Sequence, residues 1–360
     1  MRHPWRVLAE SSRRPCYSEL GFAARHWRGH LLGVTGTNGK TTITSLLCRG
    51  LERLGLVALE AGNIGTPLSD CVLSDAHHEE AYAVCEISSF QAELPRGLQL
   101  DGLIWSNFSE DHLDRYTSMA EYFAAKASLL RAMRPNAPVV IGADVRAFDS
   151  RLAEIPNVSV VDQPCALAES LAPDSPFRMS PQCRNFDLTA ALWDALNLSA
   201  QALIDSANTF QLAAHRLSPI DYWNGVSCWD DSKATNFHAV WAAINAMQGT
   251  VFWIGGGRYK GGNLDAFARL IAPKIEAAFL YGEVARQLAA SLEPIHSRVA
   301  IQLDFVDAVQ AAVRAALAHA PSIVLLSPGF ASFDQFSGYA ARGKSFISTV
   351  LSLKHALQTS

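Results

Sequence analysis

The chain has 360 residues, 49% of them hydrophobic and 18% charged, with a formal net charge of −4. That much apolar material excludes a chiefly disordered protein and suffices for two domain cores, three at most. The scattered basic residues exclude an extended nucleic-acid footprint but leave room for a phosphate-bearing small molecule at one local site.

Residues 1–15 are polar and arginine-rich, without the apolar core of an export signal, and no stretch approaches the length of a membrane span. A cytoplasmic monomer with no membrane and no nucleic-acid partner is expected. The seven cysteines, Cys16, Cys48, Cys71, Cys85, Cys165, Cys183 and Cys228, include no C-x-x-C pair. Reduced thiols are expected rather than a disulfide framework or a zinc site.

Short apolar runs at 31–35, 57–61, 81–87, 102–107, 139–142 and 158–161 alternate with helical stretches, and the pattern resumes at 251–255, 277–281 and 323–327. Most runs are continuous rather than alternating. Strands covered on both faces read this way, so the fold class is α/β with mainly parallel sheets between helices. A helix is expected at 189–196. An antiparallel element is expected over 220–230, turning at Asn224-Gly225. The boundary between a nucleotide-binding domain, 31–212, and a smaller α/β domain, 213–360, falls near 210–215.

Leu31-Leu-Gly-Val-Thr-Gly-Thr-Asn-Gly-Lys-Thr-Thr42 reads as a buried strand, a glycine-rich turn and a helix with Leu47, Leu51 and Leu54 on one face. Glycines let backbone N–H groups approach phosphate oxygens, and the helix N-terminus adds its positive dipole end. In such a loop Lys40 reaches the β- and γ-phosphates of ATP and Thr41 can ligate Mg²⁺. The general P-loop spacing has a glycine at position 34, where this chain has Val34. On the loop alone, a plain tight strand-to-helix turn remains an alternative.

Glu86 stands at the carboxyl end of an apolar run, where ligand sites of open α/β sheets lie, and a carboxylate there can hold Mg²⁺ opposite the phosphate loop. By itself it also reads as an exposed loop glutamate. His112 by itself reads as a structural histidine, and Lys126, in a small and apolar helical stretch, as a snorkelling surface lysine. Gly255-Gly-Gly-Arg-Tyr-Lys-Gly-Gly-Asn263 by itself could be a second phosphate loop.

Together, several segments resemble the Mur ligase family of ATP-dependent amide-bond ligases, most of all its D-glutamate-adding branch. They are Gly36-Thr-Asn-Gly-Lys-Thr-Thr42, Glu86-Ile-Ser-Ser-Phe-Gln91, Asn107-Phe-Ser-Glu-Asp-His-Leu-Asp-Arg-Tyr116 and Asp230-Asp-Ser-Lys-Ala-Thr-Asn236. Leu326-Ser-Pro-Gly-Phe-Ala-Ser-Phe-Asp-Gln-Phe336, followed by Tyr339 and Arg342-Gly343, is the most similar stretch. The first loop takes the same form in folylpolyglutamate synthases. The resemblance covers residues 17–350 and implies a P-loop ATPase domain with a mainly parallel central sheet plus a C-terminal Rossmann-like domain.

The resemblance implies that Lys40, Glu86, His112 and Lys126 are catalytic. Mg²⁺ would be held by Thr41, Glu86, His112 and a carbamylated Lys126, burial favouring the neutral amine that carbamylation needs. Nucleotide contacts would come from Gly36, Thr37, Asn38, Gly39, Lys40, Thr41, Thr42, Asp187, Arg216 and Asp231. Asn63, Ser88, Ser89 and Gln91 would face UDP-N-acetylmuramoyl-L-alanine. Lys233, Thr235, Lys260, Ser332 and Tyr339 would face D-glutamate, whose two carboxylates suit a pocket of lysine and hydroxyl donors.

The implied reaction activates the terminal carboxylate of UDP-N-acetylmuramoyl-L-alanine as an acyl phosphate, which the amine of D-glutamate attacks with loss of phosphate. It belongs to cytoplasmic peptidoglycan precursor synthesis. Two departures stand out. Asp187 replaces an asparagine of the family pattern that contacts adenine. Family members also carry an N-terminal UDP-binding domain, whereas residues 1–30 resemble only its remnant and linker, with Cys16-Tyr-Ser-Glu-Leu-Gly-Phe-Ala-Ala-Arg25 as the joining helix.

Two alternatives are a Mur-like ligase for another carboxylate substrate and a non-catalytic nucleotide-binding paralogue. The Asp231-Ser-Lys-Ala-Thr-Asn236 segment argues against the first. Retention of Lys40, Glu86, His112, Lys126 and Lys233 argues against the second.

Overall fold

A computed structural model describes residues 4–12 and 14–358. Residues 1–3 and 13 of the expected segment 1–30, and residues 359–360 of the expected domain 213–360, lie outside the described residues. The chain divides into two units. One comprises Met1–Ser109 and Arg115–Gln211, the other Glu110–Asp114 and Leu212–Ser360.

In the first unit six strands form one sheet: β1 His30–Thr35, β2 Ala58–Gly62, β3 Tyr82–Glu86, β4 Gly102–Trp105, β5 Val139–Gly142 and β6 Val158–Val161. Their order is β2-β3-β1-β4-β5-β6, and every pair is parallel. The continuous apolar runs reflect burial on both faces. Leu31, Ala83, Cys85, Leu103, Trp105 and Ile141 enter one core, and the intervening Leu32, Val34, Val84, Ile104 and Val140 are just as deeply buried. The chain leaves β1 for the edge at β2, returns through β3, then crosses to β4 on the far side. That reversal opens a crevice at the carboxyl end of β1.

Helix Lys40–Arg53 follows β1 and buries Leu46, Leu47 and Leu51, each contributing roughly 1.5–3 kcal/mol. A β-carbon at Gly50 would come within 2.6 Å of the Trp193 ring, so glycine lets helix Gln182–Ala195 pack closely. That second helix begins well before the expected 189–196. Its first turns bury Gln182, Asn185 and Asp187, polar residues that conceal the apolar period. Upstream of β1 lie helices Pro4–Ser11 and Glu19–Ala24.

The second unit has β7 Ser218–Trp223, β8 Val226–Asp230, β9 Thr250–Gly256, β10 Ala277–Tyr281, β11 Val299–Ile301 and β12 Ser322–Gly329. Their order is β11-β10-β9-β12-β8-β7, parallel except for the β7–β8 hairpin. The hairpin turns at Asn224 and Gly225, both left-handed at φ 50° and 79°, as a two-residue turn requires. Successive residues of β9 and β12 feed opposite cores. Val251, Trp253 and Leu325 pack with Val240 and Ile271, while Phe252, Ile254, Val324 and Leu326 pack with Val309 and Phe346. Both sheets are therefore mainly parallel and covered by helices, as expected for the α/β class.

The seven cysteines are free. Among the described residues, no helix is long and apolar enough to cross a membrane.

Candidate active site

The glycine loop leaves β1 at Thr35, and its glycines are used where side chains cannot fit. Gly36 has φ 142°, and a β-carbon there would lie 2.0 Å from Ser106 Oγ. Gly39 has φ 84°, and its β-carbon would lie 2.3 Å from Asn185 Oδ1. Val34 stays fully buried in β1, so this loop turns without a glycine at that position. The residues after β4 hold the turn. Ser106 Oγ donates to the Asn38 carbonyl at 2.6 Å, and Asn107 both donates to that carbonyl and accepts from Asn38 N–H at 2.9 Å. The Thr37 hydroxyl accepts from Ser109 N–H at 3.1 Å.

Gly39, at the N-cap, offers no side chain to cap helix Lys40–Arg53. The first turn thus presents backbone donors from Lys40, Thr41 and Thr42 with the positive end of the helix dipole. Lys40 Nζ donates to the carbonyls of Gly36 and Thr37 at 3.0 and 2.9 Å.

Lys126, in helix Met119–Ala127, is 1% exposed, which removes the snorkelling alternative. Its Nζ donates to the same Gly36 carbonyl at 2.8 Å and lies 4.9 Å from the centre of the Tyr122 ring.

Glu86 ends β3 beside Val34 and is buried rather than exposed. Its Oε2 accepts from the Thr41 hydroxyl at 2.8 Å and its Oε1 from Asn63 Nδ2 at 2.9 Å. A carboxylate and a hydroxyl side by side, with an uncapped helix start and two lysines, fit a nucleoside triphosphate with a hard, oxygen-preferring divalent cation. Thr41 and Glu86 would hold that cation. Among the described residues, no group of three or more His, Cys, Asp or Glu side chains is arranged to hold a metal. His112 lies in Glu110–Asp114, assigned to the second unit, and its backbone N–H donates to Asp111 Oδ1 at 2.9 Å.

Ser88 and Gln91 form a reciprocal cap on the short helix Ser89–Ala92, with Gln91 Oε1 accepting from Ser88 N–H at 3.0 Å. The spacing Ser-x-x-Gln is a capping-box signal that sequence reasoning could have used. Ser89 is buried at the start of that helix. Asp187 is also buried, and its Oδ1 accepts from Cys165 N–H at 2.9 Å. The Cys165 thiol is pushed up to about 11 by burial first, then by its bond to Asp187.

In the second unit, Asp231 follows β8. Its carboxylate accepts from Leu217 N–H at 3.1 Å and from the Ser327 hydroxyl at 2.8 Å. Burial pushes its carboxyl up to about 7, with Ser327, Leu217 and the Arg216 charge opposing. The predicted nucleotide contacts Arg216 and Asp231 thus share one neighbourhood.

Lys233 Nζ lies 3.4 Å from the Tyr339 hydroxyl and 4.8 Å from the centre of its ring. Thr235 precedes Asn236, the N-cap of helix Phe237–Ala246, and Ser332 is buried after β12. Lys260 Nζ is 3.6 Å from Asp111 Oδ1 within this unit.

The glycines around Lys260 are not an open phosphate loop. Gly256 and Gly257 would drive β-carbons into the carbonyls of Tyr281 and Ala331, and Arg258 exchanges both backbone hydrogen bonds with Ala331. Ser106, Asn107, Asn185, His215 and Asp230 received no site role from the sequence. Ser106 and Asn107 brace the loop, Asn185 abuts Gly39, and His215 bonds Asp230 in the second unit, pairings between distant positions that composition does not signal.

Fold and loop define a class: a P-loop-type parallel α/β unit with a second, largely parallel α/β unit. Residues 34–185 match the Mur ligase middle domain, and 215–330 match the Mur ligase, glutamate ligase domain. The chain is 33% identical to UDP-N-acetylmuramoylalanine--D-glutamate ligase of Synechocystis sp., covering 89% of this chain and 76% of that protein. It is 33% identical to the enzyme of the same name from Sphingopyxis alaskensis, over 98% and 82%. The chain belongs to the Mur ligase family.

Solved structures share the fold. MurF ligase from Thermotoga maritima in complex with ADP superposes with a TM-score of 0.67 at 16% identity, covering 94% of this chain and 84% of that one. Folylpolyglutamate synthase from Mycobacterium tuberculosis, complexed with ADP and AMPPCP, gives 0.64 at 14%, over 96% and 97%.

Proposed function

We propose that the protein is an ATP-dependent acid–amino-acid ligase that joins D-glutamate to UDP-N-acetylmuramoyl-L-alanine in cytoplasmic peptidoglycan precursor synthesis. The observation that carries the nucleotide half is the convergence of Lys40 and Lys126 on the Gly36 carbonyl, next to the Thr41–Glu86 pair. The acceptor and amino acid follow from the names of the relatives that align along most of the chain.

ATP supplies the phosphoryl group that turns the acceptor carboxylate into an acyl phosphate, and Mg²⁺ offsets the charge on the transferring group. The protein's part is to bind and orient. Gly36–Gly39 and the first helical turn, through Thr42, cradle the phosphates, and Lys40 neutralises developing charge. Glu86 and Thr41 would hold the metal, and the family resemblance gives His112 and a carbamylated Lys126 as its further ligands. Asn63, Ser88, Ser89 and Gln91 face the muramoyl side. Asp187, Arg216 and Asp231 hold the nucleotide's remaining parts. Lys233, Thr235, Lys260, Ser332 and Tyr339 seat the carboxylates of D-glutamate so that its amine meets the acyl carbon.

The test is a substrate panel. The purified chain is given ATP and Mg²⁺ with UDP-N-acetylmuramoyl-L-alanine or a folate, each paired with D-glutamate, L-glutamate or no amino acid, and ADP and ligated product are measured. Product with the muramoyl acceptor and D-glutamate only is expected. Ligation confined to the folate, or ADP release that no acceptor alters, contradicts the proposal.

A further inference from the structure

We propose that His215 and Asp230 form a positioning pair for the amino-acid end of the site, setting the alignment of Lys233 and Tyr339 without touching substrate; this rests on the ligase reading above. Asp230, the last residue of β8, is 1% exposed. Both its oxygens are committed. Oδ2 lies 2.6 Å from His215 Nδ1, and Oδ1 accepts from Ser232 N–H at 2.9 Å. At that separation from a carboxylate, Nδ1 is the protonated ring nitrogen. A carboxylate buried so deeply is tolerated only when paired in this way.

His215 grips the same turn from its backbone, its carbonyl accepting from Lys233 N–H at 3.1 Å. It does so at φ 65°, a left-handed conformation that bulky residues rarely hold unless their surroundings demand it. The ring on one side and the carbonyl on the other thus bracket residues 230–233.

The ring also meets helix Tyr339–Gln358. A β-carbon at Gly343 would lie 2.1 Å from His215 Nδ1, so that glycine makes the space the ring occupies. The ring stands edge-on to Tyr339, with centroids 6.4 Å apart. The turn is also pinned directly to this helix. Ser232 Oγ donates to the Tyr339 carbonyl at 2.8 Å. Arg342, 0% exposed, donates to Ser232 Oγ and to its carbonyl at 3.0 and 2.8 Å, and to the Tyr281 hydroxyl and the Phe330 carbonyl.

Lys233 and Tyr339 come from elements more than a hundred residues apart in the chain. Their 3.4 Å approach depends on this buried frame. The His–Asp pair touches both elements, as Ser232 and Arg342 do, but it alone holds the turn through both Asp230 and the Lys233 N–H, and so it aligns the two groups through backbone and packing.

The experiment measures KM for D-glutamate, KM for ATP and kcat in the full chain, with thermal unfolding alongside. His215→Ala is expected to raise KM for D-glutamate by roughly tenfold to a hundredfold while KM for ATP stays within about twofold. His215→Asn should recover most of the loss, because its amide places a donor near the position of Nδ1 and asparagine tolerates the left-handed backbone. If His215→Ala does not fold, His215→Asn and Asp230→Leu carry the test, the first near wild type and the second selectively impaired for D-glutamate. Equal changes in both KM values, or variants that lose only thermal stability, overturn the pairing. A wild-type chain that ligates no D-glutamate overturns the ligase reading instead.

Discussion

Lys40 and Lys126 donate to one carbonyl, that of Gly36, at 3.0 and 2.8 Å. One lysine belongs to the helix after the glycine loop and the other to helix Met119–Ala127, more than eighty residues on. Two lysine nitrogens thus meet on a single peptide oxygen where the strand becomes the loop, and burial of Lys126 favours its neutral amine.

Lys126 is expected to be carbamylated in the active enzyme, and Lys126→Ala is expected to be inactive, with short carboxylic acids restoring part of the activity. Intact mass measured on an active preparation, with and without bicarbonate, checks the first statement. An unmodified amine in a fully active sample contradicts it.

Glu86→Gln keeps an acceptor for the Thr41 hydroxyl but loses the negative charge. The Mg²⁺ concentration for half-maximal activity should rise by roughly tenfold to a hundredfold, with little change in unfolding temperature. A metal titration of ADP release checks this, and an unchanged midpoint would remove Glu86 from the metal site.

Burial raises the Asp231 carboxyl to about 7, so the folded chain binds this proton more tightly than the unfolded chain does. Its stabilising contribution is complete below about pH 4 and is lost as pH rises through about 7. In the nucleotide-free protein, part of the fall in unfolding temperature across that window should vanish in Asp231→Asn. Parallel curves for the two proteins would contradict the assignment.

Most strands were legible because both faces of each sheet are covered, which writes burial into the sequence as unbroken apolar runs. The hairpin was legible from Asn224-Gly225, whose left-handed backbone has a chemical signature. Other features left weaker traces. Val299–Ile301 is a three-residue edge strand, half-buried to exposed, so it lacks an apolar run. Helix Gln182–Ala195 hides its first turns behind buried polar residues. At the loop, Lys40 and Thr41 were legible from spacing, but the bracing by Ser106 and Asn107 was not, because it joins residues about seventy apart. The Glu86–Asn63 bond was missed for the same reason: it spans neighbouring strands, not neighbouring positions.

The central claim is that the glycine loop delivers phosphate from ATP to an amide-forming reaction. Its most direct test is incorporation of radiolabelled D-glutamate into UDP-N-acetylmuramoyl-L-alanine, run side by side with the wild-type chain and Lys40→Ala. The wild type is expected to form labelled product with one ADP released per product. Lys40→Ala should be slower by roughly a hundredfold or more, the cost of losing a charge-stabilising donor. A folded wild-type protein that incorporates no label, or a Lys40→Ala variant that keeps pace with it, would contradict the claim.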